Sequence, residues 1–295
     1  MEELNISKKQ IILILTFSLF IFFGYFLFQN LDSKTKIVFC DVGQGDATYI
    51  RVKNKVDVLI DAGPDKKILN CLGKHMPFWD KKIEIAFLSH PNKDHYQGFF
   101  FINGRYKIER FVTVENPFVS PSYKNLIETL KKNQVLILKK FQGDQINILN
   151  DRFLFLWPAK NYFSSEDNDY SHLLLFQEDD FKALFTGDAS PKILNLIVKT
   201  NSIDFIKNIN LIKIPHHGSK KPAQFFCPKK AYIFPGRLRF FYRVQHQLKH
   251  QLCFLFEYKS HRLDQHHKKQ SLFLILNSEI KNNPKSLKKK KSISK

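Results

Sequence analysis

The sequence predicts an α/β domain in which two β-sheets are sandwiched between helical layers, preceded by one transmembrane helix. Short β-type runs recur eleven times along the chain, too many for one simple layer, and helical patterns lie between them. Residues 11–28 form an uncharged apolar run of 18, just long enough as a helix to cross a hydrocarbon core. With 295 residues and 43% hydrophobic content, the chain has enough apolar material for a large core.

The apolar run at residues 11–28 follows a short flank, residues 1–10, and precedes a linker, residues 29–36. A secretory signal peptide is the alternative, because Lys8 and Lys9 give the run a positive start. The run is longer than a usual signal core, and no small-residue cleavage site follows it. We therefore expect a single-pass membrane protein with a cytoplasmic N-terminus and the domain outside, although the positive-inside rule is nearly tied.

Three segments read as helices within the domain: "KKILNCLGKHM", "SPSYKNLIETLKKN" and "SPKILNLIVKT". In the last of these, Ser190 is in the N-cap position and Pro191 in the first helical position, where proline's missing N–H costs nothing. The helices therefore alternate with strands along the chain, as a sandwich with helices outside requires.

The net charge of +20 favours a partner that carries many negative charges, such as nucleic acid or an anionic lipid surface. Part of this charge lies in residues 281–295, a lysine-rich segment that we expect to be a disordered tail. The four cysteines are scattered without metal-site spacing, so we expect neither a disulfide framework nor a thiolate metal site. Cys40 is predicted to be a core residue.

Four pieces at the ends of β-type runs carry side chains that can bind metal. They are "DVGQGDA" at 41–47, "LSHPNKDH" at 88–95, "FTGDAS" at 185–190 and "IPHHGS" at 214–219. Each piece alone is equally well explained as a hydrogen-bonded turn or a helix start. Together they supply imidazoles and carboxylates, the mixture that binds zinc or manganese, from loops of the kind that assemble sites in α/β folds.

The spacing within these pieces predicts a centre for one or two divalent ions, Zn or Mn. His90 would face one ion and the Asp94/His95 pair the other, with the carboxylate of Asp188 between them. Asp94 and Asp188 are the predicted catalytic carboxylates. His216 is the predicted third imidazole, and His217 is the alternative to it.

Asn92 stands in the same loop as His90 and is predicted to be a weak ligand, because a neutral amide oxygen binds metal poorly.

The motifs "DVGQGDA", "LIDAGP", "MPFWDKKIEIAFLSHPNKDHYQG", "NDYSHLLLF", "LFTGD" and "IPHHGS", in this order, resemble the metallo-β-lactamase-fold domain of ComEC-type DNA-uptake proteins and their stand-alone relatives. The match runs from about Lys36 to Ala231. The resemblance implies an αββα sandwich over residues 37–280 with a metal-dependent hydrolase site. It also implies that Asp41, Asp46, Asn168 and Ser171 shape or orient the site loops without binding metal.

The function implied is metal-assisted hydrolysis of a phosphodiester, with single-stranded DNA the favoured substrate in a competence-like uptake system. The many-helix channel of the DNA-uptake proteins has no counterpart in this sequence, so we expect a separate channel protein as a partner. The alternative is a membrane-tethered nucleic-acid-binding module whose catalytic site has degraded.

The sequence after Gly236 departs from the family pattern. All 11 glycines lie at or before Gly236, whereas five of the 11 histidines lie between residues 246 and 267. We interpret residues 237–270 as atypical, frame-shifted or degenerate, and we expect no closing strand and loop of the family's kind from about Arg237 onward.

Overall fold

The structure of the protein is a computed structural model. It describes residues 7–31, 34–200, 209–213, 215–216, 239–242, 252–257 and 272–276. Two seven-stranded sheets form the centre of the domain, one in the order β14-β1-β2-β3-β4-β5-β6 and the other in the order β12-β13-β11-β10-β9-β8-β7. The predicted two-sheet α/β sandwich is therefore confirmed.

The first sheet is antiparallel from β14 to β3 and parallel from β3 to β6. Its strands are β1 (Thr35–Phe39), β2 (Thr48–Val52), β3 (Val56–Ile60), β4 (Lys82–Phe87), β5 (Lys107–Thr113), β6 (Leu136–Lys139) and β14 (Leu272–Leu276). Since parallel strands end at the same edge of a sheet, the loops that follow β3, β4 and β5 lie next to one another.

In the second sheet only β10 and β11 run parallel to each other. Its strands are β7 (Gln145–Ile148), β8 (Asp151–Trp157), β9 (Leu173–Glu178), β10 (Phe181–Phe185), β11 (Leu211–Lys213), β12 (Arg239–Tyr242) and β13 (Leu252–Glu257). The ends of β10 and β11 are consequently neighbours, which places two of the predicted ligand loops side by side.

The three helices predicted within the domain form, and the structure adds two short ones that the sequence did not predict. The helices are α1 (Lys8–Leu31), α2 (Lys67–His75), α3 (Lys93–Tyr96), α4 (Gly98–Ile102), α5 (Pro121–Lys132) and α6 (Pro191–Thr200), with one 3-10 turn at Asp167–Tyr170, and the two additional ones are α3 and α4. At the start of α5, the Ser120 hydroxyl accepts a hydrogen bond from the backbone N–H of Tyr123 at 3.2 Å. Ser190 takes the same place before α6, 3.5 Å from the N–H of Ile193. The predicted cap is confirmed.

Three apolar clusters define the order of the layers. The middle cluster joins the facing sides of the two sheets and includes Ile37 and Phe176. A second cluster packs α2, α4 and α5 on the outer face of the first sheet, where Val38 points, and a third packs α6 on the outer face of the second sheet. Because neighbouring residues of a strand face opposite sides, Ile37 and Val38 belong to different clusters. The layers therefore run helix, sheet, sheet, helix.

Strands also form after Arg237, where the sequence did not predict any, and the expectation that the family's closing strand and loop are missing stays a prediction. Strand β14 pairs with β1, β13 pairs with β11 and β12 pairs with β13, so three described strands from this part of the chain extend the two sheets. The interpretation of residues 237–270 as frame-shifted or degenerate, and the predicted domain bounds, stay predictions.

The prediction for the cysteines is wrong at two positions, because Cys40 and Cys71 form a disulfide. Their Cα atoms lie 5.7 Å apart, and both side chains are buried in the cluster beneath α2. Cys40 directly precedes the loop at 41–47, and Cys71 lies in α2. The disulfide therefore links that loop to α2. Spacing in the sequence gave no sign of the pair, since 31 positions separate the two residues.

Helix α1 carries large apolar side chains that are exposed, among them Leu13 and Phe20. In the part of the chain that the structure describes, no helix combines the length and the apolar character needed to cross a membrane. The transmembrane span predicted for residues 11–28 stays a prediction.

Candidate metal centre

The predicted site loops meet at one edge of the sandwich. Asp61 follows β3, and Ser89 and His90 follow β4, at adjacent ends of parallel strands. Asp188 follows β10, and His216 comes shortly after β11. Two pairs of parallel strands, one in each sheet, thus bring the candidate ligands to the same place.

His90, His95 and Asp188 form one close group of potential ligands. Each offers one ligand atom, all lie within 4.8 Å of one another, and all three residues are buried. The His95 Nε2 is 3.5 Å from the Asp188 Oδ2, and the two imidazole rings have centroids 4.2 Å apart. This is a donor set of the kind that zinc and manganese accept.

His90 provides the observation that tests whether a metal fits. The residue is 0% exposed, and its Nε2 has no hydrogen-bond partner among the described residues. Burial lowers the pKa of His90 to about 3, so the imidazole stays neutral with a free lone pair. A buried nitrogen without a partner is costly, and a metal ion beside His95 and Asp188 would remove that cost. The residues present fit a divalent ion.

Asp61 orients this group, and sequence reasoning did not single it out. Its carboxylate accepts hydrogen bonds from the Ser89 backbone N–H at 2.7 Å and from the Ser89 hydroxyl at 2.8 Å. The other contact is the His95 Nδ1 at 2.9 Å. A proton held at Nδ1 leaves Nε2 to face Asp188, which is the usual way in which a carboxylate sets a ligating histidine. Asp61 lies directly after β3 in "LIDAGP". It could therefore have been chosen in the way the other candidates were, as a carboxylate that follows a β-type run.

The pKa of His95 reflects these neighbours. Burial lowers it, but the carboxylates of Asp61 and Asp188 more than offset this and raise the pKa well above its usual value. The two carboxylates therefore favour the charged form of His95.

The residues that follow β10 pack tightly next to Asp188. Gly187 has φ +52°, and a Cβ there would lie 2.8 Å from the Cβ of Ser89, so glycine is needed for both reasons. The backbone N–H of Asp188 donates to the Ser171 hydroxyl at 3.3 Å. Ser171 therefore contacts the loop that carries Asp188, and its role in orienting that loop stays a prediction.

His216 lies at the rim of the centre. Its backbone N–H donates to the Asp188 Oδ1 at 3.1 Å, and its Nδ1 is 3.6 Å from the Asp188 Oδ2. Its φ of +53° is a conformation in which histidine is enriched. The Nε2 lies 3.4 Å from the Asn168 side-chain nitrogen. The alternative ligand, His217, lies outside the described residues.

Asn92 and Asp94 stand apart from the close group. The Asn92 amide donates to the Asn168 Oδ1 at 3.4 Å. The Asp94 side chain is 37% exposed, with its Oδ2 3.9 Å from the His95 Nε2. Among the described residues, Asp94 belongs to neither group whose ligand atoms lie within 4.8 Å of one another. Its place as a ligand stays a prediction, as does that of Asn92.

Lys213 is the second residue that sequence reasoning missed. Its ammonium, at the end of β11, forms a buried ion pair with Asp46 and donates to the Gly187 carbonyl at 3.0 Å. It also lies 3.9 Å from the Asp188 Oδ1. Burial lowers the pKa of Lys213 to about 7, whereas the contact with the Asp46 carboxylate favours the charged form.

Asp46 and Asp41 behave differently within the Gly-rich loop. Asp46 forms a second potential ligand group with Asp61 and His95, although its Oδ2 is engaged by Lys213. The exposed Asp41 carboxylate accepts from the Gly43 N–H at 3.3 Å, a contact that shapes the turn.

His172, predicted not to be a ligand, lies among backbone carbonyls. Its Nδ1 is 3.2 Å from the Leu88 oxygen, and its Nε2 is 3.0 Å from the Lys140 oxygen. Both ring nitrogens face backbone carbonyl oxygens, and in the neutral form of His172 one nitrogen donates its N–H to one of them.

Two exposed aromatic side chains flank the 3-10 turn that carries Asn168. Phe118 is 44% exposed, and its ring centroid is 6.2 Å from that of Tyr170. Phe163 is 84% exposed and directly precedes Ser164, whose backbone N–H donates to the Tyr170 hydroxyl at 2.9 Å. Phe118 thus packs on Tyr170 directly, whereas Phe163 is linked to Tyr170 through the backbone of Ser164.

Comparison with known proteins found a relative by sequence. The chain is 27% identical to Recombination protein 2 of Haemophilus influenzae over 226 residues, which is 73% of this chain and 26% of that protein. This similarity confirms the predicted resemblance to the metallo-β-lactamase-fold domain of ComEC-type proteins. The chain spans about a quarter of the length of the curated relative it matches. No family model matches the chain.

Solved structures give weaker likenesses. The metallo-beta-lactamase fold protein YhfI from Bacillus subtilis is 12% identical with a TM-score of 0.38, covering 52% of this chain and 62% of that one. The Zn(2+)-bound PqqB from Methylobacterium extorquens is 9% identical with a TM-score of 0.41, covering 55% of this chain and 69% of that one.

Proposed function

We propose that the protein is a metal-dependent hydrolase of phosphodiesters, with His90, His95 and Asp188 at its centre. The observation that carries this proposal is the buried His90 Nε2, which lacks a hydrogen-bond partner among the described residues and lies beside two other potential ligands. His216 completes the set from the rim. Zinc and manganese are the ions that suit this mixture of imidazole and carboxylate.

The chain's own residues prepare the site for hydrolysis. A divalent ion bound here would supply Lewis-acid activation of water and neutralise charge on the attacked group. Asp61 holds the proton at the His95 Nδ1, and the His216 N–H fixes one oxygen of Asp188. Asp94 is the solvent-facing carboxylate next to the His95 Nε2. Its Oδ2 is therefore the atom that would take up the proton of the attacking water.

Nucleic acid, and single-stranded DNA in particular, is the substrate class that the surface favours. The net charge of +20 attracts phosphate polymers. The exposed rings of Phe118 and Phe163, close to the 3-10 turn at Asp167–Tyr170, offer faces on which unpaired bases can stack, which a duplex cannot use. A role in DNA uptake, with a separate channel protein as partner, would follow the similarity to Recombination protein 2.

Membrane attachment through α1 is a further part of the proposal. The uncharged run at residues 11–28 and the exposed apolar side chains of α1 support it. The disulfide between Cys40 and Cys71 supports an extracytoplasmic domain, since such bonds persist in oxidising compartments. Alkaline extraction of cell membranes tests the attachment, and protease added to spheroplasts tests the side. Release of the full chain at alkaline pH would argue against an anchor.

The central experiment measures metal content and hydrolysis together. The purified full chain should contain Zn or Mn by inductively coupled plasma analysis and cleave labelled single-stranded DNA when either ion is added. Asp188→Ala should lose cleavage and most of the metal. The matched control is Asp180→Ala, which changes an exposed aspartate in the β9–β10 turn. Undiminished turnover in Asp188→Ala would refute the assigned centre.

A degraded, non-catalytic module that binds nucleic acid is the second candidate. The observation that favours it is the Asn92 side chain, which bonds to Asn168 and brings no strong ligand to the loop. DNA binding without bound metal and without turnover in the parent protein would favour this candidate over the hydrolase.

A further inference from the structure

Two exposed aromatic side chains lie far from the metal centre, at the opposite edge of the first sheet. Phe78 is 78% exposed and Trp79 is 51% exposed, and their rings are arranged edge to face with centroids 4.7 Å apart. The pair precedes β4, whereas His90 follows it. A strand of six residues spans about 20 Å, so roughly the height of the sheet separates the rings from the centre. The proposed hydrolase site gives this pair no role.

The starts of β1, β3, β4, β5 and β6 lie along the same edge as the aromatic pair. Strands β1 and β3 both run antiparallel to β2, and β3, β4, β5 and β6 are parallel, so all of them begin on one side. The Lys36 ammonium donates to the His75 carbonyl at 2.6 Å, and the Lys107 N–H donates to the Lys81 carbonyl at 2.7 Å. The start of β1, the end of α2 and the segment that carries the pair are therefore close together.

The side chains around the aromatic pair are mainly basic. Exposed cations at the strand starts and helix ends of this edge include Lys55, Lys74, Lys81, Arg105, Lys107 and Lys131. Acidic side chains next to the pair are engaged by other cations. The Asp80 Oδ2 is 3.1 Å from the Arg51 Nη1. The Glu84 Oε1 is 2.8 Å from the Lys82 Nζ. The six cations and the aromatic pair form a surface, here called the basic edge, that is complementary in charge to an anionic partner.

The position of α1 in the chain makes a lipid surface the partner that fits. Helix α1 ends at Leu31, and β1 begins at Thr35, four positions later. Four steps of a trans peptide chain span at most about 15 Å, so the start of β1 lies within that distance of the end of α1. In the proposed attachment α1 lies in the membrane. The basic edge is then the part of the domain that is held next to the lipid headgroups.

We propose that the basic edge docks on an anionic lipid surface, with Phe78 and Trp79 inserted among the headgroups. Aromatic side chains are favoured at membrane interfaces, and lysines near an anionic surface are attracted to it. The contact turns the metal centre away from the bilayer, toward substrate in the aqueous phase. This inference rests on the membrane attachment in the proposed function and gives the attached domain an orientation. Nucleic acid fits the basic edge less well, because a base bound at Trp79 would lie on the far side of the domain from His90.

The test uses the full chain reconstituted in vesicles, with Trp79 as the probe. The chain contains two tryptophans, and Trp157 is buried, so comparison with Trp79→Phe isolates the emission of Trp79. In vesicles that contain phosphatidylglycerol, lipids brominated near the headgroup should quench Trp79, and its emission should shift to shorter wavelength. High salt, or vesicles of phosphatidylcholine alone, should weaken both effects, because salt screens exposed charges.

Two variants test the two parts of the contact. Lys81→Gln/Lys107→Gln removes two exposed charges beside the pair and should weaken docking by about 5-fold for each charge in a titration of phosphatidylglycerol content. Phe78→Ser keeps the probe and should reduce its quenching at every lipid composition. The matched control is Lys160→Gln/Phe163→Ser, which removes an exposed lysine and an exposed ring in the segment between β8 and the 3-10 turn. Quenching in the control should equal that of the parent.

Flotation of the same vesicles separates this inference from the attachment. A chain that floats with neutral vesicles at high salt, but whose Trp79 is not quenched in anionic vesicles, would overturn the docking surface and leave the anchor intact. Equal docking of the parent and Lys81→Gln/Lys107→Gln would also overturn it, as would quenching of Trp79 by single-stranded DNA but not by lipid. Flotation with anionic vesicles alone, with Trp79 quenched, would support the docking surface and refute the anchor. A chain that floats with no vesicle would refute both.

Discussion

Asp61 should be the residue outside the ligand group on which metal affinity depends most. Its carboxylate is buried and contacts the Ser89 N–H, the Ser89 hydroxyl and the His95 Nδ1 at 2.7, 2.8 and 2.9 Å. Asp61→Ala removes all three contacts and strains a backbone at φ +57°. Hydrogen bonds to charged groups contribute roughly 1.5–3 kcal/mol each. Because these losses are not additive, we expect the free energy of unfolding to fall by about 3–5 kcal/mol.

The effect on metal binding should be separate from the effect on stability. Without Asp61, nothing fixes the proton at the His95 Nδ1, so part of the population would carry it at Nε2, the nitrogen that faces Asp188. Loss of a carboxylate that orients a ligating histidine typically weakens metal affinity roughly 10–100-fold. Asp61→Asn tolerates the positive φ and keeps an oxygen for Ser89. It should therefore lose less stability than Asp61→Ala but a similar share of the affinity.

The assay combines chemical denaturation of the metal-free variants with a metal titration of each. If Asp61→Ala loses stability but retains the parent's metal affinity, Asp61 supports only the fold, and the reasoning about His95 is refuted.

Four other results are expected. Asn92→His should bind metal more tightly in a titration, because imidazole is a stronger ligand than an amide; equal affinity would show that position 92 contributes no ligand. Phe118→Ala should weaken binding of single-stranded DNA by about 1–3 kcal/mol in fluorescence anisotropy without changing the metal content. Phe78→Ala, at another exposed phenylalanine, should leave DNA binding unchanged. Equal losses of affinity in the two variants would refute the stacking role. Cys71→Ser should lower the free energy of unfolding by roughly 4 kcal/mol, the entropy of closing a loop of 31 residues; an unchanged denaturation midpoint, or no change on reduction of the parent, would contradict this. Burial lowers the pKa of His172 to about 4, so the contribution of neutral His172 to the free energy of unfolding is present above pH 6.5 and is lost as the pH falls toward 4. His172→Leu should remove up to roughly 3 kcal/mol of this pH dependence of stability in denaturation curves. An unchanged pH profile of stability would argue against this role of His172.

Local sequence was sufficient for elements with strong local signals. Ser120 and Ser190 mark the starts of α5 and α6 because an N-cap serine acts on backbone groups three residues away. The strands after Arg237 were not foreseen, because β13 and β14 owe their places to β11 and β1, which are distant in sequence. Strand formation at a sheet edge depends on the partner strand, and composition alone does not reveal that partner.

The sequence by itself determined which residues were candidates for the centre. His90, His95 and Asp188 could be chosen because each lies in a loop directly after a β-type run, and the structure brings those loops together. Only the tertiary structure decided which groups orient them and balance their charge. Asp61 meets His95 across 34 positions of the chain, and Lys213 meets Asp46 across 167. No local periodicity encodes such a pair, because burial in the folded domain is what makes a distant carboxylate need a particular cation.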